Sequence, residues 1–514
     1  MLGSIDAAAA KCRSVGACCV LLAAALGACG DEVAGTTPDE ANLLVQRVPS
    51  LGCYEDIAAP GSCQRSADCA EPSLRCVHDQ QALNADRAPA PLRCGMAVGE
   101  RAAHALCSRG SDCASGLCAL TGVCVEPCLS DDDCGLSDGC RPVETRLGDA
   151  ALQPVMACTR AIVVPEDVKI SYAPRGYELG KGKATVEIPG SDTNALVFLQ
   201  GECGKSLDLL SVRANDLGRM VYDRDTLRDG KRQDSTILHD GSALAALVYP
   251  NNPRLMPMVD GLGLGVRSGN AQHAESVTLS RARGRGVLDL NLFYVGGGGE
   301  LVAGGFHPGD RRVREMLKDF DERLHAMNGL SLGSVNEFEV VGALREELSV
   351  LEVPRRKVGE RTVEGRPERL PELFRLSAGL EKPGVNVFII GDMGDYIGIA
   401  GGIPGPIGLH GTERSGLALA ADLMGDLKGA DQVLLHEIGH YLGLFHTTES
   451  SGTILEPLAD TPECDKQYDK NEDGVLTLDE CEGRGAENLM FWTGPGVLLS
   501  PQQIDVFASS VALR

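Results

Sequence analysis

Thirteen of the twenty cysteines fall between Cys53 and Cys158, and that density limits the fold more sharply than any other feature. Their spacing repeats. Cys63-x5-Cys69-x6-Cys76 is echoed by Cys107-x5-Cys113-x4-Cys118-x5-Cys124 and by Cys128-x5-Cys134-x5-Cys140, with an aspartate before Cys69, Cys113 and Cys134. The segment holds too few large apolar residues for a core of its own, so covalent staples must hold it. Zinc ribbons would need CxxC pairs, which are absent, and disulfides fit better. Thirteen is odd, so one partner must come from elsewhere, and Cys203 is the nearest candidate. Beyond Cys29 sixteen cysteines remain, an even number that permits eight disulfides and points to export from a reducing cytosol.

The start of the chain agrees. Lys11 and Arg13 precede an apolar run from Val15 to Leu26 that is too short to span a bilayer and ends in Leu26-Gly27-Ala28-Cys29. This resembles a bacterial lipoprotein signal. The resemblance implies a signal over 1–28, a lipid on Cys29, a linker over 29–52, and localisation at the cell envelope outside the cytoplasm, facing the periplasm or the cell surface. An ordinary secretory signal with a chance cysteine is the alternative. No other apolar stretch approaches the length of a membrane-spanning helix, so the membrane is expected as a partner through the anchor alone. The formal net charge is −24, which argues against nucleic acid as a partner, because that needs a basic face.

After the cysteine-rich module (53–160), residues 161–285 show short alternating runs such as Ala184–Ile188, Ala195–Gln200 and Ser276–Leu279, separated by turn residues, which predicts an antiparallel β-sandwich. A spacer is the default role for it. GLGLG at 261–265 and GGGG at 296–299 lack the Gly-Lys-Ser/Thr ending of a phosphate loop and read as turns. From 286 the pattern becomes α/β. Strands are expected over Val287–Val295, Glu337–Val341 and Val385–Ile390, helices over Arg311–Met327, Leu370–Leu380 and Asp431–Leu442, and the glycine- and proline-rich 398–406 leaves room for an extended edge strand.

The last of these helices carries HEIGHYLGLFH, 436–446. One helical turn separates His436 from His440, so both imidazoles can reach one metal ion. Glu437 lies off that face, where it can reach a metal-bound water as general base. Gly443 lets the chain leave the helix and bring His446 back as a third ligand. Three imidazoles leave a fourth position open, the arrangement of a catalytic Zn²⁺.

These residues resemble the metzincin signature, and their context resembles the pappalysin-type zinc metallopeptidases (family M43). The similarity covers about 286–514. Asp460-Thr461-Pro462 follows the third histidine as in that family, Cys464 and Cys481 stand where the family carries a disulfide, and Asn488-Leu489-Met490 matches its Asn-x-Met, which implies that Met490 forms the turn beneath the metal. The family usually places tyrosine two residues after that methionine as a transition-state contact. Here the position is Trp492, whose indole N–H can donate a hydrogen bond but cannot ionise.

The stretch Glu449–Glu482 carries eleven carboxylates against two lysines. Within it Asp469, Asn471, Asp473, Val475 (through its carbonyl), Thr477 and Glu480 occupy the ligand positions of a twelve-residue Ca²⁺ loop, with Gly474 at the sharp turn. The whole is expected to be multidomain: a disulfide-rich module, a β-sandwich and an α/β (α+β) metzincin-like catalytic domain. The expected function is that of an anchored zinc metalloendopeptidase acting on protein or peptide substrates, with Zn²⁺ catalytic and Ca²⁺ structural. A binding or adhesion lipoprotein with a degenerate protease domain would not need Glu437. A zinc-dependent amidase or esterase would keep the whole motif.

Overall fold

The computed structural model describes residues 51–514 apart from 55–60, 62, 80–89, 148–150, 173–175, 180–181, 192, 216–217, 225–229, 232–235, 239–242, 252–259, 269–270, 282–285, 297–304, 328, 359–360, 422–426 and 428. The signal, Cys29 and the linker up to 50 lie outside the described residues. The described residues fall in one compact unit.

The sixteen cysteines beyond Cys29 form eight disulfides. Six fall into three tandem pairs with first-to-third and second-to-fourth connectivity: Cys63–Cys76 with Cys69–Cys94, Cys107–Cys118 with Cys113–Cys124, and Cys128–Cys140 with Cys134–Cys158. The aspartate before the second cysteine explains the sequence repeat. Asp68, Asp112 and Asp133 each end a single 3₁₀ turn and accept hydrogen bonds from the backbone three and four residues earlier. Loops this short each contribute about 2–4 kcal/mol when closed. A seventh bond, Cys53–Cys203, ties the segment before the repeats to the next sheet region.

Two antiparallel sheets follow. Four strands run in the order Arg219–Asp223, Leu207–Ala214, Leu262–Ser268, Gly182–Ile188. The second sheet runs Thr236–Leu238, Leu244–Tyr249, Ala195–Gly201, His273–Ser280, Lys169–Tyr172, with Tyr177–Glu178 added beside His273–Ser280. Val197, Leu199 and Leu247 share a core with Val186, Leu209 and Leu264 of the first sheet. The alternate residues Leu196, Phe198 and Ala246 enter the core of the α/β region instead. The middle of the second sheet is therefore buried on both faces, which is why Ala195–Gly201 is buried without a break. This region thus packs directly on the α/β core. The reading of GLGLG as a turn is corrected: Leu262–Ser268 is a strand, and Gly265 faces Ser211, whose Oγ would lie 2.3 Å from an added Cβ. Gly265 serves close strand approach at the register shift between Leu209 and Ser211, while Gly261 stands just before the strand at φ +88°.

In the α/β region five strands run in the order Ser331–Glu339, Val287–Tyr294, Val385–Ile390, Leu417–Ala420, Gly398–Ala400; the first four are parallel and the last is an antiparallel edge. Helices α1 (Arg311–Ala326), α2 (Ala343–Leu348), α3 (Leu370–Arg375), α4 (Ala430–Leu442) and α5 (Pro501–Ala508) surround it. Val385, Val387 and Ile389 pack with α1 and α4, while Phe388 and Ile390 pack with α2 and α3. Packing on both faces accounts for that strand's burial without a break. Helix α3 stops at Arg375, short of the expected Leu380. The chain tightens there into i→i+3 bonds, Ser377 Oγ donates to Phe374 O, and Gly379 takes φ +78°. Inside the sheet Asn336, Asn291 and Asn386 are direct register partners on three strands, and their amides hydrogen-bond in series at 2.9 and 3.2 Å. The series continues from Asn386 to His410 Nδ1 (3.0 Å), a satisfied polar ladder that fixes the register.

The cysteine-rich module is docked on this region. Thr121 Oγ1 donates to Gly379 O, and Arg141, buried, donates to His410 O and Ala161 O. His104 sits between Asp138 (3.0 Å) and Glu381, and hydrogen bonds to Asp138 and then Glu381 push its pKa up to about 9. A raised histidine pKa contributes stability fully below about pH 6.5 and loses it as pH rises through 9. The thermal midpoint of wild type is therefore expected to fall between about pH 6.5 and 9 by more than that of His104→Gln; equal pH responses would show that this contact carries no linkage.

A three-histidine candidate metal centre

Helix α4 carries the site. Asp431 in its first turn pairs with Arg323 of α1 and suits the positive end of the helix. Its other end is set by Gly443 at φ 117°, where Leu444 N donates back to Gly439 O at 2.8 Å. The chain turns there and returns His446 to the helix. His446 Nε2 lies 3.3 Å from His436 Nε2 and 3.1 Å from His440 Nε2. The three Nε2 atoms thus converge on one point.

Each ring is held from behind. His436 Nδ1 meets Leu489 O at 2.6 Å, His440 Nδ1 meets Leu444 O at 2.8 Å, and His446 Nδ1 meets Glu449 Oε2 at 3.2 Å. With Nδ1–H donating in each case, every Nε2 lone pair is left facing the centre. Burial, and then the neighbouring His446, push the pKa of His436 down to about 4, which keeps that ring neutral across the ordinary range. Among the described residues the groups of His, Cys, Asp or Glu with ligand atoms within 4.8 Å of one another are this triad and three cysteine sets. The cysteines are spent in disulfides, which leaves the triad.

Glu437 is buried beside the triad, and burial raises its pKa to about 8 against the opposing hydrogen bond from Ala400 N–H. That bond reaches across from the edge strand, and Gly398 makes the approach feasible: a Cβ there would lie 2.7 Å from Glu437 Cγ. Gly405 likewise lies against the Tyr441 ring, where a Cβ would come within 2.0 Å. The glycine-rich loop thus lets backbone lie flat on α4. Between them opens a cleft of about 860 Å³, walled by 395–400 on one side and 489–495 on the other, with the histidines and Glu437 on its floor. That volume lies within the range of ligand sites.

Met490 is fully buried under α4, and a Cβ on Gly439 would lie 2.7 Å from its Sδ. Asn488 Oδ1 accepts from Met490 N (2.8 Å), and its amide is held by Gln503 of α5. Asp460 accepts from Ser500 Oγ and Gln502 N at the start of α5, so Asp460-Thr461-Pro462 anchors the segment behind the site. Trp492 lines the cleft, but its Nε1–H already donates to Leu476 O at 3.0 Å. The indole's one donor thus ties the cleft wall to the acidic loop and leaves its carbon face to the cleft. Cys464 and Cys481 are bonded, and they pack with Leu476 and Phe491.

In the acidic loop Gly474 N donates to Asp469 Oδ2 (2.8 Å), Asp473 N to Asn471 Oδ1 (3.0 Å), Val475 N to Asp473 Oδ1 (2.8 Å) and Thr477 N to Glu480 Oε2 (2.9 Å). Gly474 takes φ +79°. Its carboxylates are not gathered within 4.8 Å of one another as the histidines are.

Sequence reasoning missed Glu449, Ala400, Leu444 and Leu489. Only Glu449 left a signal, as a carboxylate three residues past the third histidine; the other three act through backbone atoms, which residue type does not reveal. No protein-family model matches the chain, and no curated protein matches it. Among solved structures it is similar to mature mirolysin of Tannerella forsythia in complex with a cleaved peptide, at 14% identity and a TM-score of 0.25, over 43% of this chain and 89% of that one. Eight disulfides suggest an extracellular or otherwise oxidising compartment. No helix of the described residues is long and apolar enough to cross a membrane.

Proposed function

We propose that this chain is a zinc-dependent endopeptidase of the metzincin type, pappalysin-like in its motifs. The observation that carries the reading is the convergence of three Nε2 atoms, each ring fixed through Nδ1, beside a buried carboxylate in an open cleft. The donor set of three imidazoles opening on a cleft suits zinc. When bound by His436, His440 and His446, zinc would supply Lewis acidity, polarising a carbonyl and easing deprotonation of water to near neutral pH. Glu437, buried beside the three histidines, accepts the proton of the attacking water and passes it to the departing amine. The edge strand Gly398–Ala400 aligns an extended peptide by adding it as a further strand. Proteolysis of an unfolded protein, turnover of a small ester, and zinc content, each measured on wild type and Glu437→Gln, test this reading. Ester turnover without proteolysis would favour an amidase or esterase.

The same reading takes Asp469–Glu480 as a structural Ca²⁺ loop and Cys29 as the site of a lipid anchor outside the cytoplasm. Support for calcium is the ligand spacing together with Asp469 Oδ1, which is buried with no hydrogen-bond partner. The loop is tied to the cleft through Trp492, so ordering it braces the wall. Calcium at a hundred times its dissociation constant should stabilise wild type by about 2.7 kcal/mol. A calcium titration of the thermal midpoint at fixed zinc should show that gain in wild type and little in Asp473→Ala; equal responses would leave the loop an acidic turn.

A further inference from the structure

The two walls of the cleft differ from its floor in one respect: they offer almost no charge. Beside Gln432 and Val433, which precede His436 on α4, the lining includes Ile397, Leu489, Trp492 and Pro495, and its other polar members Tyr396 and Thr493 are uncharged. Gln432 is engaged, since its Nε2 donates to Gly496 O at 2.6 Å and joins the helix to the opposite wall. No lysine or arginine lines the cleft, and its one carboxylate besides Glu437 is Asp395. Asp395 stands at the rim, 79% exposed, and faces Arg355 at 3.7 Å. Trp492 has its N–H turned away to Leu476 O, so it presents carbon. Ile397 is 47% exposed, an apolar surface left open just before the edge strand beside the site.

We propose that this end of the cleft selects an uncharged, apolar side chain next to the scissile bond of an extended peptide and rejects basic and acidic ones. The inference rests on the peptidase reading for the peptide and on the lining for the selection. An apolar side chain exchanges water for Ile397, Val433 and Trp492. A charged one loses hydration there and meets no counter-charge.

The chain's one tryptophan gives a direct readout, because Trp492 forms part of the wall. Zinc-supplemented Glu437→Gln protein is titrated with otherwise identical peptides carrying Leu, Phe, Arg or Asp at the tested position, following tryptophan emission. Leu and Phe peptides should bind at least about tenfold more tightly than Arg and Asp peptides. Adding Pro495→Asp should narrow or reverse the Leu/Arg ratio, and adding Val433→Phe should weaken the Leu and Phe peptides by filling the space. Equal affinities across the series, or tightest binding of the Arg peptide, would overturn the proposal. Selective binding by a protein whose wild type hydrolyses no peptide would uphold the selection and overturn the peptidase reading.

Discussion

Glu437→Gln is expected to retain zinc and to lose peptide hydrolysis by at least about a hundredfold. The substitution keeps the shape of a buried side chain that contacts Gly398 and receives the Ala400 N–H, so the edge strand need not move. It leaves the three imidazoles and their Nδ1 partners untouched, which is why metal should stay. What it removes is the ability to take a proton. Glutamine cannot ionise, and no other carboxylate lines the floor of the cleft. Metal content by elemental analysis and cleavage of an unfolded protein by gel or fluorescence decide the matter together. Near-full activity would sink the general-base role, whereas loss of metal with loss of activity would make Glu437 a structural residue. A binding protein with a degenerate site would show no hydrolysis in wild type either, and the substitution would then change nothing.

Much of this site was legible because residue type and helical periodicity determine it. His436 and His440 had to share a face once the segment was helical, and Gly443 marked where the helix ends. The closing of His446 onto the pair, by contrast, depends on a turn whose geometry comes from backbone bonds. The same division holds for the fold. Val385–Ile390 declared a buried strand through its apolar run, and the repeated Asp-Cys steps declared a stapled repeat. Which cysteine pairs with which was not readable, since spacing alone permits many connectivities. The shared core was also hidden. Leu196 and Val197 look equally apolar in sequence, yet they point into two different cores, and only the packing of a sheet between two layers shows that. GLGLG misled because glycine marks both turns and close strand contacts, and the deciding neighbour, Ser211, is remote in sequence.

Replacing Glu449 by alanine is expected to weaken zinc binding by about 10- to 100-fold. The three histidines are not held alike. His436 and His440 ride on α4 and turn their Nδ1 atoms to backbone carbonyls, which no side-chain substitution removes. His446 lies beyond the helix, on a turn, and its Nδ1 is met by a carboxylate instead. That carboxylate is itself well placed, because Glu449 N donates to Ile454 O and Gly452 N donates back to Glu449 O. A carboxylate behind the ring fixes the tautomer and makes the facing nitrogen a better donor. Glu449→Gln keeps an acceptor oxygen without the charge, so it should recover a large part of the affinity, and the residue that remains measures the charge itself. Competition with a chelator gives the dissociation constants, and the visible spectrum of the cobalt-substituted protein reports whether the third imidazole stays bound. A distorted cobalt spectrum with weaker binding in Glu449→Ala, partly restored in Glu449→Gln, is the expected pattern; affinities equal to wild type in both variants would show that the turn alone holds His446 in place.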